Sequence, residues 1–331
     1  MKRTVCALLI AAMLVTGLTA CGESPVSKPA AVEGAIFGGQ SDDSIAVDVT
    51  FDTSWLTKKS NTKYNAELAQ FCALLSADSY FRTKDLDKQR QNRVLFADAD
   101  AAEYDFTSFL TSFGFTEAEH FESYLAQTDP TDTNDSVTLN IGHQTVDGKY
   151  DVYAVVIRGC FSAGEWKSAF DPGCESAGYE AMTGGHPEWT DSAAFKGVDV
   201  AANRAIAFIE DFMSRTGDAA LPDRLLITGH SRGGGIANLL GAHFENDADV
   251  TSYTYTFNAL GVTLAEDAAD YSTIFNIYDS GDFFIAGLPF ADGGFVRYGR
   301  DMPMAAGGDK TKSVIAELKG RDDYTCVPAE T

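Results

Sequence analysis

Apolar positions recur along this chain at two periods, and their order predicts the fold. Leu68, Phe71, Cys72 and Leu75 fall three and four apart, which puts them on one face of a helix over 65–80. A second helical patch runs from Tyr104 to Phe113 and stops at Gly114. Val137–Ile141 and Val152–Ile157 are rich in β-branched residues and read as strands, with Asp147-Gly148 as a turn signal between them. Val155, Val156 and Ile157 form an unbroken apolar run, as in a strand covered on both faces. Val198, Ala202, Ala205, Ile206, Ile209 and Phe212 mark an amphipathic helix. Then come a short buried strand at Leu225–Thr228, a helix of small residues from Gly233 to about Phe244, and strands at Tyr253–Phe257 and Thr273–Tyr278. Strands alternating with helices imply a mostly parallel central sheet with helices on both faces. There is no internal repeat and no sign of a second domain.

The segments outside this pattern divide the chain. Lys2 and Arg3 precede an apolar run, Cys6–Gly17, too short for a membrane span and typical of a signal peptide. Leu18-Thr19-Ala20-Cys21 resembles the lipobox of bacterial lipoproteins, whose cysteine is lipidated and becomes the new N-terminus. This predicts a signal peptide at 1–20, a Pro-, Ala-, Gly- and Ser-rich tether at 21–44, and one folded domain at 45–331. The expected location is the outer face of a bacterial cell membrane, lipid-anchored through Cys21. Residues 159–196 show little periodicity and many small residues, and a loop of that length inside a compact domain is usually functional. The aspartates of Thr128–Ser136 lack the spacing of a calcium loop and read as a solvated turn.

Composition then narrows the chemistry. A formal net charge of -23 disfavours nucleic acid as a partner, because such binding rests on Lys and Arg neutralising phosphates. Cys72, Cys160, Cys174 and Cys326 remain for the folded part. Cys160 and Cys174 bracket one loop and either pair as a disulfide or stay free. There is no Cys-x-x-Cys and no cluster of histidines, so no metal site or cofactor is expected.

Gly229-His230-Ser231-Arg232-Gly233 is a G-x-S-x-G pattern, weak alone but here set between a buried strand and a helix. That is the setting of a nucleophile elbow, a strained turn that lifts the serine to the carboxyl end of the sheet. A serine hydroxyl needs a base, a carboxylate to orient the base, and two N–H donors for the tetrahedral oxyanion. One donor is the backbone N–H of Arg232, the residue after the nucleophile. The turn Arg158-Gly159-Cys160, after the strand at 152–157, offers the second through the N–H of Cys160.

The runs VVIRGC (155–160), ITGHSRGG (227–234), YTFNALG (255–261) and NIYDSGDFFIAGLP (276–289) resemble the class 3 lipases, the fungal-lipase-like branch of the α/β-hydrolases, and FVRYGR (295–300) resembles a bacterial offshoot of them. The resemblance spans about residues 65–300 and implies an α/β-hydrolase fold and a carboxylic ester or lipid substrate. Family members have threonine where Cys160 stands, so a backbone donor survives and a side-chain hydroxyl does not. The family's catalytic carboxylate precedes a short apolar stretch ending in Leu-Pro, which matches Asp282. Asp279 is the alternative.

The base does not follow the acid. The five histidines are His120, His143, His186, His230 and His243, and none lies after Asp282, where the Ser–acid–His order of this fold puts it. His230 adjoins the nucleophile and should point into the scaffold, His243 lies toward the far end of its helix, His143 follows a strand and reads as surface, and His186 sits in the long loop. Either the histidine lies beyond Thr331 in a longer chain, or the protein is crippled and acts as a surface binding protein. The expectation is a monomeric serine hydrolase of the lipase or esterase type with Ser231 as nucleophile. The small and acidic character of Phe161–Phe195 points to small or soluble esters.

Overall fold

A computed structural model of the chain describes residues 25–33, 44–80, 106–125, 135–160, 163–169, 196–264, 271–279 and 295–304. The elements in chain order are β1 (Val26–Glu33), β2 (Ser44–Phe51), α1 (Ser54–Thr57), α2 (Ala66–Asp78), α3 (Phe106–Ser112), β3 (Glu117–Tyr124), β4 (Ser136–Val146) and β5 (Tyr150–Ile157). They continue with α4 (Ala163–Ala169), α5 (Lys196–Thr216), β6 (Asp223–His230), α6 (Arg232–Glu245), β7 (Val250–Phe257), β8 (Thr263–Leu264), β9 (Ile274–Asp279), β10 (Phe295–Val296) and β11 (Arg300–Met304).

Seven strands form the central sheet in the order β11-β9-β7-β6-β5-β4-β3. The five from β11 to β5 run parallel, and β4 and β3 complete it antiparallel. With helices on both faces this is an α/β-hydrolase fold. Alternation within the strands builds two cores. Val152, Ala154 and Val156 of β5 join Leu226, Tyr255 and Phe275 under α2, α3 and the β1–β2 hairpin. Tyr153, Val155 and Ile157 face the other way, with Leu225 and Ile227, toward α5 and α6. The unbroken apolar runs of the sequence are thus the mark of strands buried on both faces.

Helix α2 starts where Asn65 caps it, the side chain accepting from the N–H of Glu67 at 3.1 Å and of Leu68 at 3.2 Å. The Asn65 N–H in turn donates to the Tyr255 hydroxyl, which fixes the helix against the sheet. The β4–β5 hairpin turns at Asp147 and Gly148, both at positive φ (55° and 61°), the type I′ geometry that Asp-Gly favours. Helix α5 buries Val198, Ala202, Ala205, Ile206, Ile209 and Phe212, the stripe its spacing predicts.

Four features depart from the reading of the sequence. Residues 26–33, read as tether, pair with 44–51 as an antiparallel hairpin; Pro29 is tolerated because a two-stranded ribbon consists only of edges. Strand β3 was hidden by its glutamates, which suit an edge strand that must discourage further pairing. Strand β4 is longer than Val137–Ile141 and runs to Val146. The 159–196 loop contains α4. Cys21, Cys174 and Asp282 lie outside the described residues.

Candidate active site

Strand β6 delivers the chain to Ser231 and α6 carries it away, and the turn between them is forced. Ser231 has φ 58° and ψ -125°, a conformation L residues avoid. It is held there by three backbone bonds: its N–H donates to Phe257 O at 2.9 Å, and its carbonyl accepts from the N–H of Gly235 at 3.0 Å and of Leu260 at 3.4 Å. A Cβ on Gly233 would lie 2.5 Å from Ile157 O and 2.6 Å from Arg158 O, so the first turn of α6 presses directly on the backbone that leaves β5. A Cβ on Gly229 would run into the Gly233 carbonyl. The small residues of the motif are therefore a steric requirement. Ser231 itself is half-buried.

Parallel pairing of β5 with β6 puts Ile157 beside Gly229, so Arg158-Gly159-Cys160 and the elbow share the carboxyl end of the sheet. The turn is clamped from beneath by Tyr80, just past α2. The Gly159 N–H is directed at the Tyr80 hydroxyl, which also lies 2.8 Å from His230 Nδ1. Burial pushes the Tyr80 phenol well above its ordinary value, so it stays protonated.

Cys160 is free and buried, its Sγ–H directed at Glu165 O at 3.4 Å, and burial pushes the thiol up to about 12. The Arg232 side chain is buried: Nη1 donates to Ser136 O at 2.7 Å and Nη2 meets Asp135 Oδ1 at 3.0 Å. Asp135, read as part of a solvated turn, is in fact drawn to this guanidinium, because a buried Arg needs an opposite charge. Asp279 ends β9 on the same side of the sheet, its N–H donating to Asn258 Oδ1 at 2.9 Å. The structure thus brings together Ser231, Arg232 and the 158–160 turn.

The histidines sort clearly. His230 is held by Tyr80, in the scaffold as expected. His243 Nε2 lies 3.0 Å from Glu210 on the outer helices. His120 Nδ1 bonds Asn140 Oδ1 at 2.9 Å across β3 and β4. His143, read as surface, is buried within the longer β4: Nδ1 faces Glu117 at 3.0 Å and Nε2 faces Asp151 at 2.9 Å. It pairs with Tyr153 near the start of β5, at the end of the sheet opposite Ser231. His186 lies outside the described residues. Sequence reasoning missed Tyr80, Asp135 and Glu165: the two carboxylates pair with Arg232 and Arg158, whose burial no local pattern shows, and Tyr80 meets His230 from 150 positions away. Among the described residues no group of His, Cys, Asp and Glu could hold a metal ion, and no helix is long and apolar enough to cross a membrane.

No protein-family model matches the chain, and no curated protein matches it. Solved structures do. The M37 lipase is 13% identical with a TM-score of 0.42, over 69% of this chain and 70% of that one. The lipase from Rhizopus microsporus var. chinensis is 13% identical with a TM-score of 0.38, over 74% and 76%. A fungal lipase–inhibitor complex is 20% identical with a TM-score of 0.36, over 49% of this chain and 60% of that one. The chain spans about 60% of the length of that fungal lipase. These are similarities of fold.

Proposed function

We propose that the chain is a serine hydrolase that cleaves carboxylic esters through an acyl-enzyme at Ser231. The observation that carries this reading is the strained Ser231 turn pressed against the 158–160 turn. The serine oxygen attacks the ester carbonyl and its proton passes to a base. The negative charge that collects on the carbonyl oxygen is met by the N–H groups of Arg232 and Cys160. Collapse expels the alcohol, which takes up the proton; water then attacks the acyl group by the same route. Donors fixed in advance are commonly the largest single contribution to such catalysis. Asp282, or in its place Asp279, is the carboxylate that orients the base.

The engagement of His120 by Asn140, His143 by Glu117 and Asp151, His230 by Tyr80 and His243 by Glu210 favours a second reading, a surface binding protein that kept the fold and lost the base. A fluorophosphonate decides between them. Attachment to Ser231, mapped by peptide mass spectrometry and absent in Ser231→Ala, is expected; an unlabelled wild-type serine would leave the binding protein.

The proposal includes lipid attachment at Cys21. Support comes from the Leu18-Thr19-Ala20-Cys21 pattern; β1 begins five positions later at Val26, a reach of roughly 17 Å at full extension. Val26 pairs with Phe51, which packs on Phe115 just before β3, at the end of the sheet opposite Ser231. An anchor there turns the Ser231 mouth away from the membrane and favours dispersed esters over the lipids of the anchoring membrane. Radiolabelled palmitate incorporation, lost in Cys21→Ser, checks it.

A further inference from the structure

The segment that follows the oxyanion turn is tied down more heavily than a turn requires. Glu165 on α4 is completely buried. Its Oε1 accepts from Arg158 Nη2 at 3.0 Å and from Ser136 Oγ at 2.6 Å. The same guanidinium nitrogen donates to Thr138 Oγ1 at 3.1 Å. The Arg158 N–H donates to Thr138 O at 3.1 Å, and the Cys160 thiol points to the Glu165 carbonyl. A second pair closes the ring. Arg232, next to the nucleophile, grips Asp135 and the Ser136 carbonyl, and Ser168 at the far end of α4 donates to the other oxygen of Asp135. Both ion pairs are shielded: the side chains of Arg158 and Glu165 are 1% and 2% exposed, those of Arg232 and Asp135 3% and 14%.

The two arginines are Arg158 and Arg232, the first residue of the oxyanion turn and the residue that carries the other amide donor. Each is fixed to the start of β4, and α4 is bolted to both. Breaking one partner of a buried pair strands a charge in a medium that solvates it poorly, which makes opening costly. From this we propose that α4 and the oxyanion turn are locked in their working arrangement in the resting protein, so that the amide of Cys160 is placed before substrate arrives and contact with a lipid–water interface does not activate the site. Glu165 and Asp135 are then positioning residues that act through Arg158 and Arg232.

This rests on the hydrolase reading for its meaning, but its test does not need turnover. The Cys160 thiol lies under α4 and reports opening. In full-length protein treated with iodoacetamide, with Cys160 followed at the peptide level, alkylation should be slow and equally slow with and without phosphatidylcholine vesicles or a tributyrin emulsion. Glu165→Gln should speed it by roughly 100-fold or more, the scale of a broken buried pair. Ser168→Ala, a milder change should Glu165→Gln fail to fold, should speed it about fivefold. Asp135→Asn should also slow fluorophosphonate labelling of Ser231 about tenfold, a loss expected of a misplaced amide donor. Faster Cys160 alkylation of the wild type on adding vesicles or emulsion, or a rise in wild-type tributyrin hydrolysis above its solubility limit, would overturn the lock. Failure of Ser231 to react with the phosphonate, with Cys160 still protected, would instead overturn the hydrolase reading and leave the lock standing.

Discussion

The Tyr80 hydroxyl occupies the space that a side chain at Gly159 would need. A Cβ added there collides with the hydroxyl oxygen and comes within 2.6 Å of the His230 carbonyl. Tyr80 reaches this point from the end of a helix, Gly159 from the end of a strand, and their contact sets the height of the 158–160 turn relative to the Ser231 turn.

Tyr80→Phe should therefore lower kcat for a short-chain ester about tenfold with little change in KM. It removes the group that holds the Gly159 amide and His230 while leaving substrate contacts alone. Stability should fall by about 1 kcal/mol, the net worth of a buried hydrogen bond. Steady-state kinetics and urea unfolding check both.

Gly159→Ala should destabilise by about 2–4 kcal/mol and abolish phosphonate labelling, because the new methyl must displace both Tyr80 and backbone. Adding Tyr80→Phe should restore only part of the stability, since the His230 carbonyl remains in the way. Unfolding midpoints of the single and double variants decide this.

Ser231→Gly should gain about 1 kcal/mol of stability while losing all labelling. Glycine adopts φ 58°, ψ -125° freely, whereas serine is held there against its preference. A thermal melt beside the labelling assay measures this trade.

His143→Ala should cost about 2–4 kcal/mol in urea unfolding, because Glu117 and Asp151 lose the ring between them. Labelling of Ser231 should be unchanged at temperatures where the variant is folded, as His143 sits at the other end of the sheet.

The same end of the sheet predicts a pH dependence. Burial, aided by the charge of Asp151, pushes the Asp223 carboxyl up to about 6. Burial alone would raise Asp151 too, but the Asp218 N–H, His143 and Thr145 outweigh it and hold that carboxyl below its ordinary value. A raised carboxyl binds its proton more tightly in the folded state. Its contribution to stability is thus full below about pH 4 and lost as pH rises through about 6. Asp223→Asn should flatten the decline across that window and gain about 1 kcal/mol at pH 7.5, a figure already reduced for its partial contact with water. Urea unfolding from pH 4 to 8 tests it, and a steeper decline in the variant would contradict the assignment.

The tight strand-to-helix turn at Ser231 was legible in the sequence, because its rules are local: small residues at fixed offsets, a buried strand before and a helix after. The two-sided parallel sheet was legible as well, since unbroken apolar runs are what burial on both faces requires. The tertiary structure decided which partners serve the site. Arg232 meets Asp135 at a separation of 97 positions, and Tyr80 meets His230 at 150. A buried guanidinium demands some carboxylate, but sequence periodicity carries no information about which one the packing of β4, α4 and the elbow will bring to it. His143 shows the same division. Its residue type was visible, while its burial between Glu117 and Asp151 followed from β3 pairing along β4, a long-range contact that no local pattern encodes.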